Sequence, residues 1–173
     1  FHMLRTQAYK RPRKPLVAFT PKQLLRLAAA TSSVEEFTSG SFRPVIGEAR
    51  AGIDPASVER VLVCTGRVYY DLVRERAARR DPSTAIVRLE QLYPLPAQAL
   101  GEELAKYPGA EVVWVQDEPR NQGAWPHLAL NLFAQWPRPV RLVSRPESAT
   151  TAAGRPSLHQ EQASRLLRAA FGD

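Results

Sequence analysis

Cysteine is almost missing from this sequence: Cys64 is the single one in 173 residues. One cysteine cannot form a disulfide bond within the chain, so we expect a cytoplasmic protein whose fold depends on its hydrophobic core. Cys64 lies in the apolar run at residues 61–64, and we interpret it as a small buried hydrophobe.

Long hydrophobic runs are missing too. No stretch approaches 18 consecutive apolar residues, which excludes a membrane-spanning segment and gives no reason to expect a membrane partner. The hydrophobic content of 44% is that of a globular protein. A chain of this length can form one domain with a sizeable core and an appendage.

Acidic residues are absent from the first 34 positions, which carry seven of the 24 basic residues. The other 17 basic residues are balanced by all 17 acidic ones, so the net charge of +7 comes from this N-terminal arm. Such an arm can bind nucleic acid. Because it leads directly into an apolar segment, we interpret it as the solvated edge of a larger fold and expect no nucleic-acid partner.

Motifs of catalytic and metal sites are also lacking. His2, His127 and His159 share no metal-ligand spacing with Cys64. The sequence contains no GxSxG, HExxH, CxxC or GxGxxG motif. We therefore predict no catalytic residue, metal ligand or cofactor ligand within this chain.

What is present is a regular alternation of strand and helix patterns after residue 58. Apolar runs predict strands at residues 60–65, 85–89, 111–115 and 140–143. Helical patterns follow each strand, at residues 68–79, 96–106 and 126–135 and in a last helix capped by Ser157 with Gln160. The alternation predicts an α/β fold with a mostly parallel sheet and helices on both faces.

The first 50 residues are less regular. They predict a helix at residues 1–8, a short buried strand at residues 16–19 and a helix capped by Thr20. A turn-rich stretch follows, so we place a domain boundary at about residue 50, between residues 1–50 and residues 51–173.

Polar side chains follow three predicted strands. Arg67 follows the first, Arg88 ends the second, and Gln116 and Arg120 lie in the loop after the third. Parallel strands present their carboxyl ends at one edge of a sheet. We therefore expect a partly cationic crevice that can hold an anion, with Arg145 as a further contact from the long loop at residues 144–156.

Simpler structures explain the same residues equally well. Arg88 can form an internal salt-bridge network with Glu90, Asp117 and Glu118. Residues 65–67 can be a tight turn, and residues 144–154 can be a flexible surface loop. The sequence does not decide between an anion-binding crevice and these structural explanations.

The loop after the third strand lies in VQDEPRNQGAWP, which resembles the Q-E-E-P-x-N-Q-G-A-W segment of 2-oxoglutarate dehydrogenases. Five other segments match this family in the same order: FHMLRTQA, RKPLVAFTPKQLLR, TGRVYYDL, IVRLEQLYPLP and SRPESATTAAG. The departures include Asp117 where the family usually has Glu and Thr6 where it usually has Arg. The matches cover nearly the whole chain, so the resemblance is specific.

The resemblance implies the C-terminal portion of a thiamine-diphosphate-dependent enzyme. That enzyme decarboxylates 2-oxoglutarate and passes the succinyl group to a lipoyl group of the dihydrolipoyl succinyltransferase component. Residues 1–50 would be the tail of a pyrimidine-binding domain, and residues 51–173 a transketolase-type C-terminal domain that supports a homodimer. The family holds thiamine diphosphate and Mg²⁺ with a G-D-G…N motif that this chain lacks, so missing N-terminal domains would supply the catalytic site.

Two alternatives stand beside this interpretation. The parent enzyme can be a 2-oxoadipate dehydrogenase, which has a similar C-terminal domain, and a stand-alone nucleotide- or CoA-binding regulatory module is an explanation from another class. In actinobacterial relatives this domain also carries an acetyl-CoA activator site. The resemblance therefore implies acetyl-CoA or a nucleotide as the anion near the five candidate residues, Arg67, Arg88, Gln116, Arg120 and Arg145.

Overall fold

The chain forms two compact units in the computed structural model, which describes residues 1–173 apart from the side chain of Gln135. We call Phe1–Arg43 the N-terminal unit and Pro44–Asp173 the C-terminal unit. The sequence places the boundary at about residue 50. The assignment of residues 1–50 to a pyrimidine-binding domain stays a prediction.

The N-terminal unit contains only short helices. These are α1 (His2–Tyr9), 3-10 turns at Lys22–Arg26 and Ala28–Ala30, and α2 (Val34–Ser39). None of its residues is buried. The expected buried strand at residues 16–19 is wrong: this segment pairs with no strand that the structure describes, and the side chain of Phe19 is 94% exposed.

The expected cap at Thr20 is also wrong. Pro21 has an extended backbone and itself stands as the N-terminal boundary residue of the 3-10 turn at Lys22–Arg26. No side chain caps this turn. Thr20 therefore lies outside the helical segment.

The C-terminal unit is built on a five-stranded sheet. Its strands are β1 (Val45–Ile46), β2 (Arg60–Cys64), β3 (Thr84–Leu89), β4 (Glu111–Pro119) and β5 (Val140–Arg145). Their order is β1-β3-β2-β4-β5, and all neighbours are parallel except β1 and β3. The predicted α/β fold with a mostly parallel sheet is confirmed.

Helices cover both faces of the sheet, as predicted. The helices of this unit are α3 (Val68–Arg79), α4 (Ala97–Leu104), α5 (Trp125–Asn131) and α6 (Pro156–Phe171), with 3-10 turns at Pro55–Ser57 and Phe133–Gln135. Helices α4 and α5 pack on one face, and α3 and α6 pack on the other. No helix in the described part of the chain has the length and apolarity needed to cross a membrane.

The predicted cap of α6 is wrong. The helix begins at Pro156, and no side chain caps its first turn. Proline is well suited to a first helical position because its fixed φ is already helical. Its presence starts the helix one residue early, and Ser157 then lies inside the first turn.

The central strand β2 contributes to both cores. Val61 and Val63 pack toward α4 and α5, whereas Leu62 and Cys64 pack toward α3 and α6. This alternation follows from the two-residue period of a strand. Burial raises the pKa of the Cys64 thiol to about 12, so the thiol stays protonated and behaves as a hydrophobe.

A buried carboxylate attaches the first residues of this unit to the sheet. Glu48 forms an ion pair with Arg76 of α3 and accepts hydrogen bonds from the backbone N–H groups of Ile86 (2.7 Å) and Arg50 (2.6 Å). Its side chain is only 3% exposed. Burial alone would raise the pKa of Glu48, but these hydrogen bonds and the charge of Arg76 hold it below its usual value.

Candidate functional site

The carboxyl ends of β3, β2 and β4 lie side by side. Cys64 at the end of β2 is the register partner of Arg88 on one side and of Val115 on the other. The polar segments that follow these strands therefore share one edge of the sheet. The bonding of each candidate side chain decides which of them can contact a ligand.

Arg67 is bonded to two carboxylates of the same chain. Its guanidinium donates to Asp71 (2.6 Å) and to Asp117. Burial alone would lower the pKa of Arg67. The hydrogen bonds and negative charges of Asp117 and Asp71 have a larger, opposite effect, so the pKa of Arg67 lies above its usual value. Two charge-assisted bonds thus hold this guanidinium in place. Asp117, which the sequence suggests as a partner of Arg88, pairs with Arg67 instead.

Arg88 is held by a weaker set of contacts. Its guanidinium lies 4.4 Å from the centre of the Tyr69 ring, and its Nε is 3.5 Å from a carboxylate oxygen of Glu90. This Nε is buried and has no hydrogen-bond partner among the described residues. Arg88 therefore lies under α3, stacked on an aromatic ring.

Gln116 is a structural residue in this geometry. Its Oε1 accepts hydrogen bonds from Trp114 Nε1 (3.0 Å) and the backbone N–H of Trp125 (2.9 Å). Its Nε2 donates to the carbonyls of Pro119 (3.0 Å) and Gln122 (2.8 Å). All four hydrogen-bonding positions of the amide are used, so Gln116 fixes the connection from β4 to α5.

The strand β4 is longer than predicted because it continues through the expected polar loop to Pro119. A bulge separates two stretches of pairing with β5, one ending at Val115–Val143 and the other at Pro119–Arg145. The backbone N–H of Arg120 then donates to the carbonyl of Arg145 (3.0 Å). This irregular pairing brings two of the predicted arginines together.

Arg145 ends β5 rather than lying in a loop, and it is 8% exposed. Its guanidinium donates to the backbone carbonyls of Asp117 and Thr151. The following loop is bound as well, because the side chain of Asn121 exchanges two hydrogen bonds with the backbone of Ser148. Arg120, in contrast, is exposed.

A groove of about 730 Å³ lies between β5 and α6, and Arg120 and Arg145 both line it. Its other charged lining residues are Arg141, Arg165 and Glu161. Arg141 and Arg165 could not be identified from the sequence, since no linear spacing relates an edge strand to a helix that follows it after a long loop. A basic residue recurring at positions 141 and 145 is the one signal that was present.

The five predicted site residues thus divide into two sets. Arg67 is paired with two carboxylates, Gln116 is fully hydrogen-bonded within the chain and Arg88 is stacked beneath α3. Arg120 and Arg145 share a groove. Their assignment to a single activator site stays a prediction. No group of three or more His, Cys, Asp or Glu side chains among the described residues could hold a metal ion.

Comparison with known proteins agrees with the fold. The chain is similar to a solved split-gene transketolase described as an inactive β4 tetramer, with a TM-score of 0.54 and 16% identity over 76% of this chain and 43% of that one. At this identity the likeness concerns the fold alone. It confirms the transketolase-like C-terminal architecture.

Sequence relatives are more specific. The chain is 45% identical to the 2-oxoglutarate dehydrogenase E1 component of Cupriavidus necator and 43% identical to that of Haemophilus influenzae, over 99% of its own length. It is 42% identical, over the same share, to the 2-oxoadipate dehydrogenase complex component E1 of Danio rerio. It spans 18% of the length of the two bacterial relatives and 19% of the fish protein.

A family model described as the 2-oxoglutarate dehydrogenase C-terminal matches residues 31–171. That match covers most of the chain, including the whole sheet, all four helices that pack on it and the connection built around Gln116. The chain therefore belongs to the 2-oxoglutarate dehydrogenase C-terminal family.

Proposed function

We propose that the chain is the C-terminal part of the E1 component of a 2-oxo acid dehydrogenase complex, with 2-oxoglutarate as substrate. The observation that carries this proposal is 43–45% identity to bacterial 2-oxoglutarate dehydrogenase E1 components along 99% of the chain. A 2-oxoadipate dehydrogenase is the second candidate, because the relative from Danio rerio is 42% identical over the same share.

Within such an enzyme this part has a structural role. Thiamine diphosphate and Mg²⁺ do not suit the residues present here, because the sequence has no G-D-G motif and the described residues offer no metal-binding group. The N-terminal domains of the parent enzyme would hold them. The parent enzyme would be a cytoplasmic homodimer that transfers its acyl group to a dihydrolipoyl succinyltransferase component.

A chimaeric enzyme tests the proposal. The matching segment of the Cupriavidus necator E1 component is replaced by this chain, and the purified chimaera is assayed with 2-oxoglutarate, thiamine diphosphate, Mg²⁺ and an artificial electron acceptor. We expect turnover of 2-oxoglutarate by the chimaera and none by the isolated chain. Assays with 2-oxoadipate on the same chimaera measure how far this part affects the choice of substrate.

Two results would count against the proposal. Turnover by the isolated chain would show that it carries a catalytic site of its own. A chimaera that folds and binds thiamine diphosphate like the parent enzyme, but has no activity, would show that this chain cannot take the place of the parent segment.

A further inference from the structure

The order of the strands creates a crevice at one end of the sheet. The chain runs from β2 through α3 to β3 on one side of β2, and from β3 through α4 to β4 on the other side. Helices α3 and α4 lie on opposite faces of the sheet. The carboxyl ends of β2 and β4 therefore flank the point where the direction of the crossovers reverses. Open α/β sheets bind small molecules at such a point.

A cavity of about 370 Å³ occupies this position, and we call it the switch-point cavity. Its volume lies within the range of about 300–1,000 Å³ that is typical of small-molecule sites. Leu92 and Ala124 of its lining belong to the core beneath α4 and α5, so the cavity opens on the face opposite to α3 and α6. Arg67 lines a different cavity beside α3 and α6, and Arg120 and Arg145 line the groove at β5.

Glu118 is the single charged residue in the lining of the switch-point cavity. Its carboxylate forms no ion pair and no hydrogen bond in the described part of the chain, whereas the neighbouring Asp117 is paired with Arg67. A Cβ built on Gly123 would lie 3.0 Å from Oε2 of Glu118, so the carboxylate lies against the turn that bounds the cavity. An unpaired negative charge in a cleft that no arginine or lysine lines attracts a cation.

His127 adds no positive charge to this lining. Its Nε2 lies 3.2 Å from the carbonyl oxygen of Leu92, which accepts a hydrogen bond, and its Nδ1 lies 3.3 Å from the amide Nδ2 of Asn131, which donates one. One ring nitrogen then carries a hydrogen and the other accepts, which is the pattern of an uncharged imidazole. The same bonds connect α5 to the segment after β3 and hold the wall of the cavity in place.

Tyr93 gives the cavity an aromatic wall. Its side chain is 85% exposed, and Gln91 Nε2 donates to the carbonyl of Pro94 (2.7 Å), which fixes the turn that carries the ring. The face of an aromatic ring attracts ammonium groups. A carboxylate and an aromatic face on the same cavity are a combination that suits a positively charged nitrogen attached to an apolar group.

We propose that the switch-point cavity binds a small organic ammonium ion, with its charged nitrogen at Glu118 and Tyr93 and its apolar part against Leu92 and Ala124. The site lies wholly within the C-terminal unit. The inference goes beyond the proposed function and does not depend on it.

Titration of the full chain with phenethylamine, followed by the amide chemical shifts in NMR spectra, tests the site. Phenethyl alcohol is the uncharged probe of the same shape, and phenylpropionate is the anionic one. We expect phenethylamine to shift the amides of Thr65 and Gly123 and to bind more tightly than the alcohol, with the anion weakest. The proposal is overturned if phenethylamine does not bind at millimolar concentration, if it shifts amides elsewhere only, or if the alcohol or the anion binds as tightly.

Glu118→Gln removes the charge with almost no change in shape. It should weaken binding of phenethylamine about tenfold or more, because a charge-assisted contact is lost, and leave the affinity for the alcohol unchanged. Glu59→Gln is the matched control, since Glu59 is also exposed but precedes β2 at the opposite end of the strands. It should bind phenethylamine like the wild type. Wild-type affinity of Glu118→Gln, or an equal loss in Glu59→Gln, would overturn the assignment of Glu118.

Tyr93 is tested by two substitutions that leave the core untouched, since its side chain is exposed. Tyr93→Ala should weaken binding of phenethylamine about two- to fivefold, the effect of one exposed cation–π contact, and Tyr93→Phe should retain the affinity. Equal affinities of Tyr93→Ala and the wild type would overturn the role of the aromatic wall.

Discussion

Glu48 shows how much of this fold depends on individual side chains. It has a single negative charge, and it satisfies the buried guanidinium of Arg76 and two backbone N–H groups at once. Nothing in the sequence around it, a turn-rich stretch with glycine and proline, indicates burial. Its role could not be predicted because two of its partners, Arg76 and the backbone N–H of Ile86, lie 28 and 38 positions further along the chain.

We predict that Glu48→Gln lowers the free energy of unfolding by about 3–5 kcal/mol at pH 7, because it leaves the charge of Arg76 buried without a counter-charge. Glu102→Gln, on the exposed side of α4, is the matched control and should change it by less than about 0.5 kcal/mol. Urea unfolding of the three proteins measures both values.

Glu48 also makes the free energy of unfolding depend on pH. The pKa of Glu48 is lower in the folded chain than in the unfolded one, so its contribution is complete above the unfolded value of about 4.3 and is lost as the pH falls through the lower, folded value. The stability difference between wild type and Glu48→Gln should therefore shrink below about pH 4. A difference that stays constant from pH 7 to pH 3 would contradict this assignment.

At the scale of elements, prediction succeeded where one face of an element is apolar and the pattern is local. The bounds of α3 are those expected, and the strands β2 and β3 agree within one residue. The end of β4 was missed because the burial of Gln116 depends on hydrogen bonds from Trp114 and Trp125. From the sequence alone, a glutamine followed by other polar residues predicts a polar loop and not the continuation of a buried strand.

The connection between β4 and α5 has a close turn at Gly123, where φ is +67°. A Cβ at this position would lie 2.9 Å from Cβ of Glu118 and 3.1 Å from Nε2 of Gln116. Gly52 has a similar φ of +74° but open space around it. Replacing each glycine by alanine therefore separates two effects: the strain of a positive φ, present at both positions, and the close contact with Glu118 and Gln116, present only at Gly123.

We predict that Gly52→Ala costs about 1–2 kcal/mol, the strain of a left-handed backbone. Gly123→Ala should cost a further 1–3 kcal/mol or so, because the added methyl group overpacks the Gln116 network. Thermal unfolding of both variants checks the order. Equal losses of stability would mean that the contacts around Gly123 relax freely.

The whole molecule divides into a unit with a core and a unit without one. Every residue of the N-terminal unit is at least partly exposed, whereas β2 has four fully buried residues. The sequence predicts a boundary at about residue 50, and the structure divides the chain after Arg43. An apolar run such as residues 16–19 predicts a buried strand only if another strand is available to pair with it, and composition does not report this.

Hydrogen exchange should reveal this difference directly. We predict that amides of α1 and of residues 16–19 exchange orders of magnitude faster than those of Val61–Val63, since opening free energies follow burial and hydrogen bonding. Mass-spectrometric exchange of the intact chain compares both units in one sample. Similar protection in the two units would contradict the exposure seen in the N-terminal unit.

The edges of the sheet have a consequence for the behaviour of the chain in concentrated solution. Strands with long, flat, apolar edges pair with other molecules and seed aggregation. Here the strand at one edge, β1, is two residues long and follows Pro44, and the strand at the other edge, β5, carries Arg141 and Arg145. The three strands with the most buried residues, β3, β2 and β4, lie between them, so intermolecular strand pairing is disfavoured at both ends of the sheet.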